Sequence, residues 1–354
     1  MARISLKPFI WVLLLTQAVL IVVSTSRVSA QSASGSTITT SPVSVSLSTA
    51  PGSTTSTNLQ VQNNGPSPVT ISLKLDEFKA EGLSGKAQIY TPPTNDIPAQ
   101  WVHFSKNSFT AQPGVWNSVA MTITTPKTAA FGYYYAVLFV PGLQTTATST
   151  NTNKVKGANA VLVLLDAHTP NEKTELNVQS FSVDKTTFQY LPASFSVNVH
   201  NSGQIYTVPR GDIYISRTLN GKTIDTLDIN SGEGNVLPGT NRVFKAQWSN
   251  GFPYYELKRV NGQIVSDKNG VPEQQLKWNI TNISNFRYGK YYAHLILVYN
   301  NGSRDVIVNG VVTFWVIPWL ALVGVLIFIG LIGIGLYSIV INIVKRFRKL
   351  RKRK

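Results

Sequence analysis

The chain of 354 residues contains no cysteine. Without thiols it has no disulfide bond, no cysteine nucleophile and no cysteine-ligated zinc. Histidine is also scarce, and no two of the four stand at a metal-ligand spacing: His103, His168, His200 and His294. The acidic stretch 225–233 offers the oxygen atoms that calcium prefers, but its spacing fits no calcium loop. We therefore predict no metal site and no cofactor.

Catalytic motifs are equally scarce. There is no G-x-S-x-G elbow, and Ser182-Val-Asp-Lys185 matches S-x-x-K without its S-D-N or K-T-G partners. Residues 220–223 (NGKT) resemble the end of a phosphate-binding loop, but the position that requires glycine is Ser216. The same residues fit a two-residue hairpin turn, which we favour. We predict that the protein is not an enzyme; a cryptic hydrolase is the disfavoured alternative.

A sustained helical pattern is confined to the two ends. Residues 1–30 carry Arg3 and Lys7, then the apolar run 9–23, then Val28-Ser29-Ala30. This layout predicts a cleaved secretory signal peptide, with an uncleaved anchor as the alternative. Residues 31–41 form a Ser/Thr-rich leader.

The C-terminal end predicts a membrane span. Residues 316–344 carry no charge, and about 20 apolar residues suffice to cross a bilayer. We assign 315–344 to a transmembrane helix, with Trp315 and Trp319 at the interface. The tail 345–354 has eight basic residues and no acidic one, which places it in the cytoplasm and the body outside the cell.

The formal charge of +16 therefore misleads. The tail and residues 1–30 hold much of the basic excess, and the remainder is only mildly basic. We exclude nucleic acid as a partner. The basic tail is suited to anionic lipid.

Between the ends, apolar and polar residues alternate in short runs that glycine, proline and asparagine separate. This pattern is typical of strands in a sandwich. We predict two domains, 42–170 and 171–314, and a long exposed hairpin loop at 143–157.

An internal repeat supports two related domains. LQVQNNG at 59–65 matches VNVHNSG at 197–203, and GYYYAVLFV at 132–140 matches GKYYAHLIL at 289–297. Pro-Gly precedes the late strands of each half, at 113–114 and 238–239. The predicted fold class is all-β: two tandem Ig-like β-sandwiches followed by one C-terminal transmembrane α-helix.

Recognition sites are harder to locate. In the repeated Gly-x-Tyr-Tyr-Ala run, Tyr134 and Tyr291 are expected to face the cores. An aromatic carbohydrate platform is the alternative, and it requires Tyr133 and Tyr135 to be exposed. Within NSGQIYTVPRGDIYI (201–215), no helix follows to present a phosphate site, so the stretch is a sheet corner. The full set of candidate ligand-binding residues is Trp101, Trp116, Tyr133, Tyr135, Arg210, Tyr254 and Tyr255.

Several segments together resemble a known family. In the second half these are Asn201-Ser-Gly203, Pro209-Arg-Gly211, Leu237-Pro-Gly239, Arg242, Trp248, Gly289-Lys-Tyr291 and 314–319 (FWVIPW). They are similar to the membrane-proximal domain of the WxL-interacting surface proteins of Gram-positive bacteria. The first half, with Pro51-Gly52, Leu59-x-Val61-x-Asn63 and Phe131-Gly132-x-Tyr134, resembles the peptidoglycan-binding domain of that family.

The resemblance covers nearly the whole chain and implies attachment at the cell envelope. On it, the first domain would bind peptidoglycan and the second another surface protein. The alternative is a protein–protein adhesin or assembly scaffold with no glycan role. Both hypotheses place a single-pass protein in the cell membrane and assign it no catalysis.

Overall fold

The computed structural model describes residues 38–93, 96–142, 157–170 and 172–351, with backbone alone from 345 onward. The predicted signal peptide, most of the leader and of the 143–157 loop, and the end of the tail lie outside the described residues.

Within the described residues, the first sandwich has ten strands: β1 (Ile38–Ser41), β2 (Ser44–Thr49), β3 (Thr54–Asn63), β4 (Val69–Glu81), β5 (Lys86–Tyr90), β6 (Val102–Phe104), β7 (Ser108–Ala111), β8 (Trp116–Thr124), β9 (Phe131–Pro141) and β10 (Asn159–Ala167). One sheet has the order β1-β3-β8-β6 and the other β2-β10-β9-β4-β5, with β7 also paired to β4. Apolar side chains from both sheets meet in one core, which includes Leu59, Val61, Met121 and Phe139.

The second sandwich comprises β11 (Leu176–Val183), β12 (Thr187–Phe188), β13 (Ala193–Asn201), β14 (Arg210–Ser216), β15 (Thr223–Asp228), β16 (Asn241–Trp248), β21 (Gly289–Asn300) and β22 (Asp305–Val316). Its sheets are β11-β13-β16 and β12-β22-β21-β14-β15. Between β16 and β21 the chain makes an excursion with four short strands: β17 (Tyr254–Leu257), β18 (Arg259–Val260), β19 (Gln263–Ile264) and β20 (Gln274–Lys277). Trp248 lies at the centre of this core, with its ring 5.0 Å from that of Tyr291.

The two sandwiches repeat the same local design. In each, an early strand joins the second sheet in parallel with the last strand, β2 with β10 and β12 with β22. A buried asparagine, Asn63 or Asn201, ends the third strand of each half, β3 or β13. Its main-chain oxygen accepts a hydrogen bond of 2.8 Å from the Pro-Gly glycine of its own half, Gly114 or Gly239. The repeated Asn-x-Gly and Pro-Gly segments thus form the same corner twice.

The helix α1 (Trp319–Arg351) leaves the second sandwich directly after β22. Trp315 and Val316 still pair with β21, so the helix begins four residues after the predicted start of the span. Its apolar part, Trp319–Val344, has 26 residues, long and apolar enough to cross a membrane. The prediction of two tandem Ig-like β-sandwiches and a C-terminal apolar helix is confirmed.

One local prediction needs correction. Asn220 and Gly221 do not form a two-residue turn, because β14 and β15 are joined by residues 217–222 and neither of the two has a positive φ. Outside α1, the helical residues that the structure describes form two 3-10 segments, Pro98–Trp101 and Ile280–Asn285.

Candidate functional site

The corner at Asn201 shapes the surface that presents Arg210. The Asn201 amide nitrogen donates to the carbonyl oxygens of Ile205 and Val236, both at 2.8 Å, and its Oδ1 accepts from Gly203 N at 2.8 Å. Asn63 makes the equivalent three bonds in the first sandwich. Because the buried amide holds the chain at three points, residues 202–209 have a defined course, and β14 starts at Arg210.

A cleft of about 430 Å³ lies beside this corner. Its walls combine apolar, polar and charged groups: Thr174, Ile205, Tyr206, Thr207, Val208, Arg210, Glu233, Asn300 and Gly302. Glu233 has φ of +48°, a left-handed conformation that side chains other than glycine, asparagine and aspartate adopt infrequently. The cleft offers apolar contact together with one positive and one negative side chain, Arg210 and Glu233.

Arg210 is the cation of this cleft, and it is held only loosely. Its guanidinium lies 4.0 Å from the Asp305 carboxylate, and the two side chains are 68% and 53% exposed. Asp305 also accepts from Asn300 at 3.1 Å. An exposed ion pair at that distance contributes little to stability. Most of the donor groups of Arg210 thus face solvent, where they are available to an incoming carboxylate.

The glycine after Arg210 allows the strands to approach closely. A Cβ on Gly211 would lie 2.1 Å from the carbonyl oxygen of Ile296 on β21. Any other residue there would force β14 away from β21 and move Arg210 with it.

The wall at Tyr206 belongs to the junction between the two sandwiches. The Tyr206 ring lies 6.5 Å from that of Tyr134 in the first sandwich. Around it, Phe78, Ala136 and Leu164 of the first sandwich form one apolar cluster with Leu237 of the second. Burial raises the pKa of both tyrosines above the ordinary value. The cleft is thus next to a packed contact between the sandwiches.

A second contact fixes the sandwiches relative to each other. The turn between β4 and β5 reaches the β16 strand, where Val243 N donates to Leu83 O at 2.8 Å. Arg242 packs against Gly85 and Gly234, and its guanidinium donates to Asn235 O at 2.6 Å. Burial lowers the pKa of Arg242.

Three side chains at the connection between the sandwiches could hold a cation, which the sequence interpretation missed. The ligand atoms of Asp166, His168 and Glu172 lie within 4.8 Å of one another. Glu172 Oε1 is 2.6 Å from His168 Nδ1, and Asp166 Oδ1 is buried with no hydrogen-bond partner among the described residues. Burial, followed by the Glu172 charge, raises the pKa of Asp166 to about 6. Imidazole and carboxylate ligands suit a transition metal. The D-x-H-x-x-x-E spacing was the available sequence signal.

One serine–histidine contact also escaped the sequence interpretation. Ser216 Oγ lies 3.1 Å from His294 Nε2, and Ser216 is 2% exposed. The serine hydroxyl donates its proton to Thr218 O at 2.7 Å, so the imidazole must donate to the serine oxygen. This arrangement stabilises the sheet and does not activate the serine as a nucleophile.

The alternative of an aromatic platform on β9 is excluded, because it requires Tyr133 and Tyr135 to be exposed. Tyr135 is fully buried, and its hydroxyl donates to Pro98 O at 3.1 Å. Tyr133 is half-buried against the same core, with its ring 4.8 Å from that of Trp101. These three aromatic residues pack against the core of the first sandwich and do not form an exposed platform. Tyr134, expected in the core, instead faces the junction between the sandwiches.

The other candidates lie on three different strands: Trp116 on β8, Arg210 on β14, and the adjacent Tyr254 and Tyr255 on β17. Trp116 is 45% exposed at the start of β8. Tyr254 and Tyr255 are half-buried in β17, and the Tyr255 ring is 6.1 Å from that of Tyr190. Arg210 alone among the predicted residues lines the cleft at the junction.

Comparison with known proteins finds similarity in structure alone. No protein-family model matches the chain. No curated protein matches it. The class 5 fimbriae chaperone CfaA aligns with a TM-score of 0.36 and 14% identity, over 77% of this chain and 98% of that one. A chaperone–tip adhesin complex of CFA/I fimbriae biogenesis gives 0.36 and 15%, over 58% and 87%.

A third solved structure is the CsuC–CsuE chaperone–tip adhesion subunit complex of Acinetobacter baumannii. It aligns with a TM-score of 0.32 and 12% identity, over 59% of this chain and 90% of that one. These scores are too low to support a functional argument. The resemblance to WxL-interacting proteins stays a prediction.

Proposed function

We propose that this protein is a non-catalytic, single-pass protein of the cell membrane whose cleft at Arg210 binds a segment of a partner protein. In this proposal α1 crosses the bilayer, the sandwiches lie outside and the basic tail lies in the cytoplasm. The uncharged, mainly apolar stretch Trp319–Val344 supports the span, since its 26 residues would extend about 39 Å along a helix against a hydrocarbon core of about 30 Å.

The observation that carries the proposal is the loosely paired Arg210 at the edge of a cleft of about 430 Å³. A planar guanidinium binds carboxylate in a bidentate geometry. Ile205, Tyr206 and Val208 provide apolar contact beside it. The chemistry fits a peptide segment with an acidic side chain or a C-terminal carboxylate next to an apolar side chain.

The position of the cleft also suits a protein partner. It adjoins the contact between Tyr206 and Tyr134, where the two sandwiches are packed together. A partner bound there would meet a preformed surface, which lowers the entropic cost of association.

Site-directed crosslinking on intact cells tests the proposal. The chain has no cysteine, so Val208→Cys with a bifunctional reagent would report contacts at the cleft alone. We expect one discrete adduct, lost when Arg210→Ala is added and retained with the control Arg259→Ala on β18, which does not line the cleft. An adduct that survives Arg210→Ala would contradict the proposal.

A second candidate function is attachment to the cell wall, as the resemblance to WxL-interacting proteins implies. Trp116 supports it, because its exposed ring, beside the 51% exposed Val115, is a surface on which a sugar could stack. Retention of the protein on isolated peptidoglycan should fall with Trp116→Ala and not with Arg210→Ala. No retention of the unaltered protein would exclude wall binding and leave the adhesin or scaffold role.

A further inference from the structure

The excursion between β16 and β21 ends in an apolar segment that is unusually exposed. Within residues 278–288, which we name the membrane-proximal segment, Trp278 is 61% exposed, Ile280 74%, Ile283 60% and Tyr288 57%. Large apolar side chains at this density on a surface indicate a contact with another apolar phase.

The position of the segment identifies that phase. The segment leads into Gly289, which pairs with Val316 at the end of β22, three residues before α1 starts. Phe286 and Tyr288 line an apolar cleft of about 390 Å³ together with Leu322 and Val325 of the helix. Val325 is six residues into α1, or about 9 Å along its axis. The segment therefore lies beside the first turns of the apolar helix.

The segment is held in shape by the body of the sandwich. Arg217 donates to the Tyr288 carbonyl oxygen, and its guanidinium lies 4.6 Å from the Tyr288 ring centre. Phe252 N donates to Asn285 O at 3.0 Å, and the Phe252 ring lies 5.8 Å from that of Trp278. These contacts fix the backbone while the isoleucine side chains stay exposed.

The charge of the segment matches a lipid surface. Residues 278–290 (WNITNISNFRYGK) contain Arg287 and Lys290 and no acidic residue. Tryptophan and tyrosine are enriched at the membrane–water interface, and basic residues favour anionic headgroups. Apolar side chains, interfacial aromatics and basic residues are thus combined at the level where α1 would enter the bilayer.

We propose that the membrane-proximal segment inserts Trp278, Ile280 and Ile283 into the outer interface of the bilayer that α1 crosses. The body then has a second attachment to the membrane, which holds the sandwiches at a fixed orientation to its surface. This inference rests on the proposed function, because it requires α1 to span.

The test uses the full chain in nanodiscs of phosphatidylcholine and phosphatidylglycerol, with one introduced cysteine that carries an environment-sensitive fluorophore. Lipids with a nitroxide near the headgroup serve as the quencher. The reporting sites are Ile280→Cys and Ile283→Cys. The matched control is Ile307→Cys, which is 61% exposed on β22, nine residues or roughly 30 Å from Val316. Phe328→Cys, in the middle of the apolar helix, reports whether α1 is in the bilayer.

We expect quenching at Ile280 and Ile283 to be at least twofold greater than at Ile307. Addition of Ile283→Asp should reduce quenching at Ile280 to the Ile307 level. One contrary result is blue-shifted emission of the label at Phe328, which shows that α1 is in the bilayer, with no more quenching at Ile280 and Ile283 than at Ile307. That result would overturn the docking and leave the span intact. A solvent-exposed label at Phe328 would overturn the span and the docking together. Equal quenching at Ile307 would also overturn the docking.

Discussion

Replacement of the buried Asn201 by alanine should destabilise the second sandwich selectively. The change removes three hydrogen bonds of 2.8 Å, which leaves the Ile205 carbonyl without a donor and Gly203 N without an acceptor. The Val236 carbonyl keeps one donor, Thr207 N at 3.0 Å. At about 1 kcal/mol for each bond, the loss is about 3 kcal/mol. A change of that size should accelerate opening-limited amide exchange by about 100-fold.

Hydrogen–deuterium exchange of the full chain measures this effect separately in each sandwich. Peptides from β13 and β16 should exchange faster in Asn201→Ala, while β3 and β8 should change much less. Asn63→Ala should give the opposite pattern, because its three bonds are equivalent. Asn241→Ala is the control, since this asparagine is exposed and should alter exchange by about twofold or less. An increase below about threefold in Asn201→Ala would refute the reasoning from buried amide hydrogen bonds.

Three further predictions concern the junction and the strand pairing. The pKa of Asp166, raised from 3.8 to about 6, means that the folded protein favours the protonated acid, so stability present at low pH is lost as pH rises through 6. Because solvent screens this half-buried group, we expect the unfolding free energy to fall by about 1 kcal/mol between acidic and neutral pH. Thermal unfolding measured across this pH range should show the fall, and Asp166→Asn should abolish it. Gly211→Ala should lower the free energy of unfolding by about 2 kcal/mol or more, because the new Cβ would clash with the Ile296 carbonyl. The control Gly232→Ala has open space around the new Cβ and should change that free energy very little. Denaturant titration measures both variants. Arg242→Ala should weaken the packing between the sandwiches by about 1 kcal/mol, and small-angle scattering should then show a larger radius of gyration; an unchanged radius would count against this anchor.

The strands were largely predictable from residue order. Alternation at period two located the long strands, and the repeated Asn-x-Gly and Pro-Gly pairs indicated two similar sandwiches. The reason is local: a strand with one face in a core must alternate, and the corner at Asn63 or Asn201 needs an amide and a glycine at fixed spacing. The uncharged C-terminal stretch predicted the helix for the same kind of reason.

The orientation of β9 was not predictable in this way. In the second sandwich, Tyr291 and Leu295 face the core, and the alternate residues Tyr292 and His294 are only half-buried. In the first, Tyr135 is buried in the core while Tyr134 packs against Tyr206 of the other sandwich. A strand covered on both faces has no polar face to show which way it points. Contacts with the second sandwich, which leave no trace in the local sequence pattern, determine which face of β9 points to the core.

The candidate sites depend on distant segments in the same way. Arg210 could be singled out from its exposed sheet corner, but its cleft needs Glu233 and Asn300, which lie far along the chain. The membrane-proximal segment lies beside α1 only because Gly289 pairs with Val316, and this pairing cannot be inferred from the segment's own sequence. The sequence by itself determined the elements, the repeat and the apolar helix, because these follow from local periodicity and composition. Only the tertiary structure decided which side chains are exposed and which charges meet, because burial depends on what packs against each face.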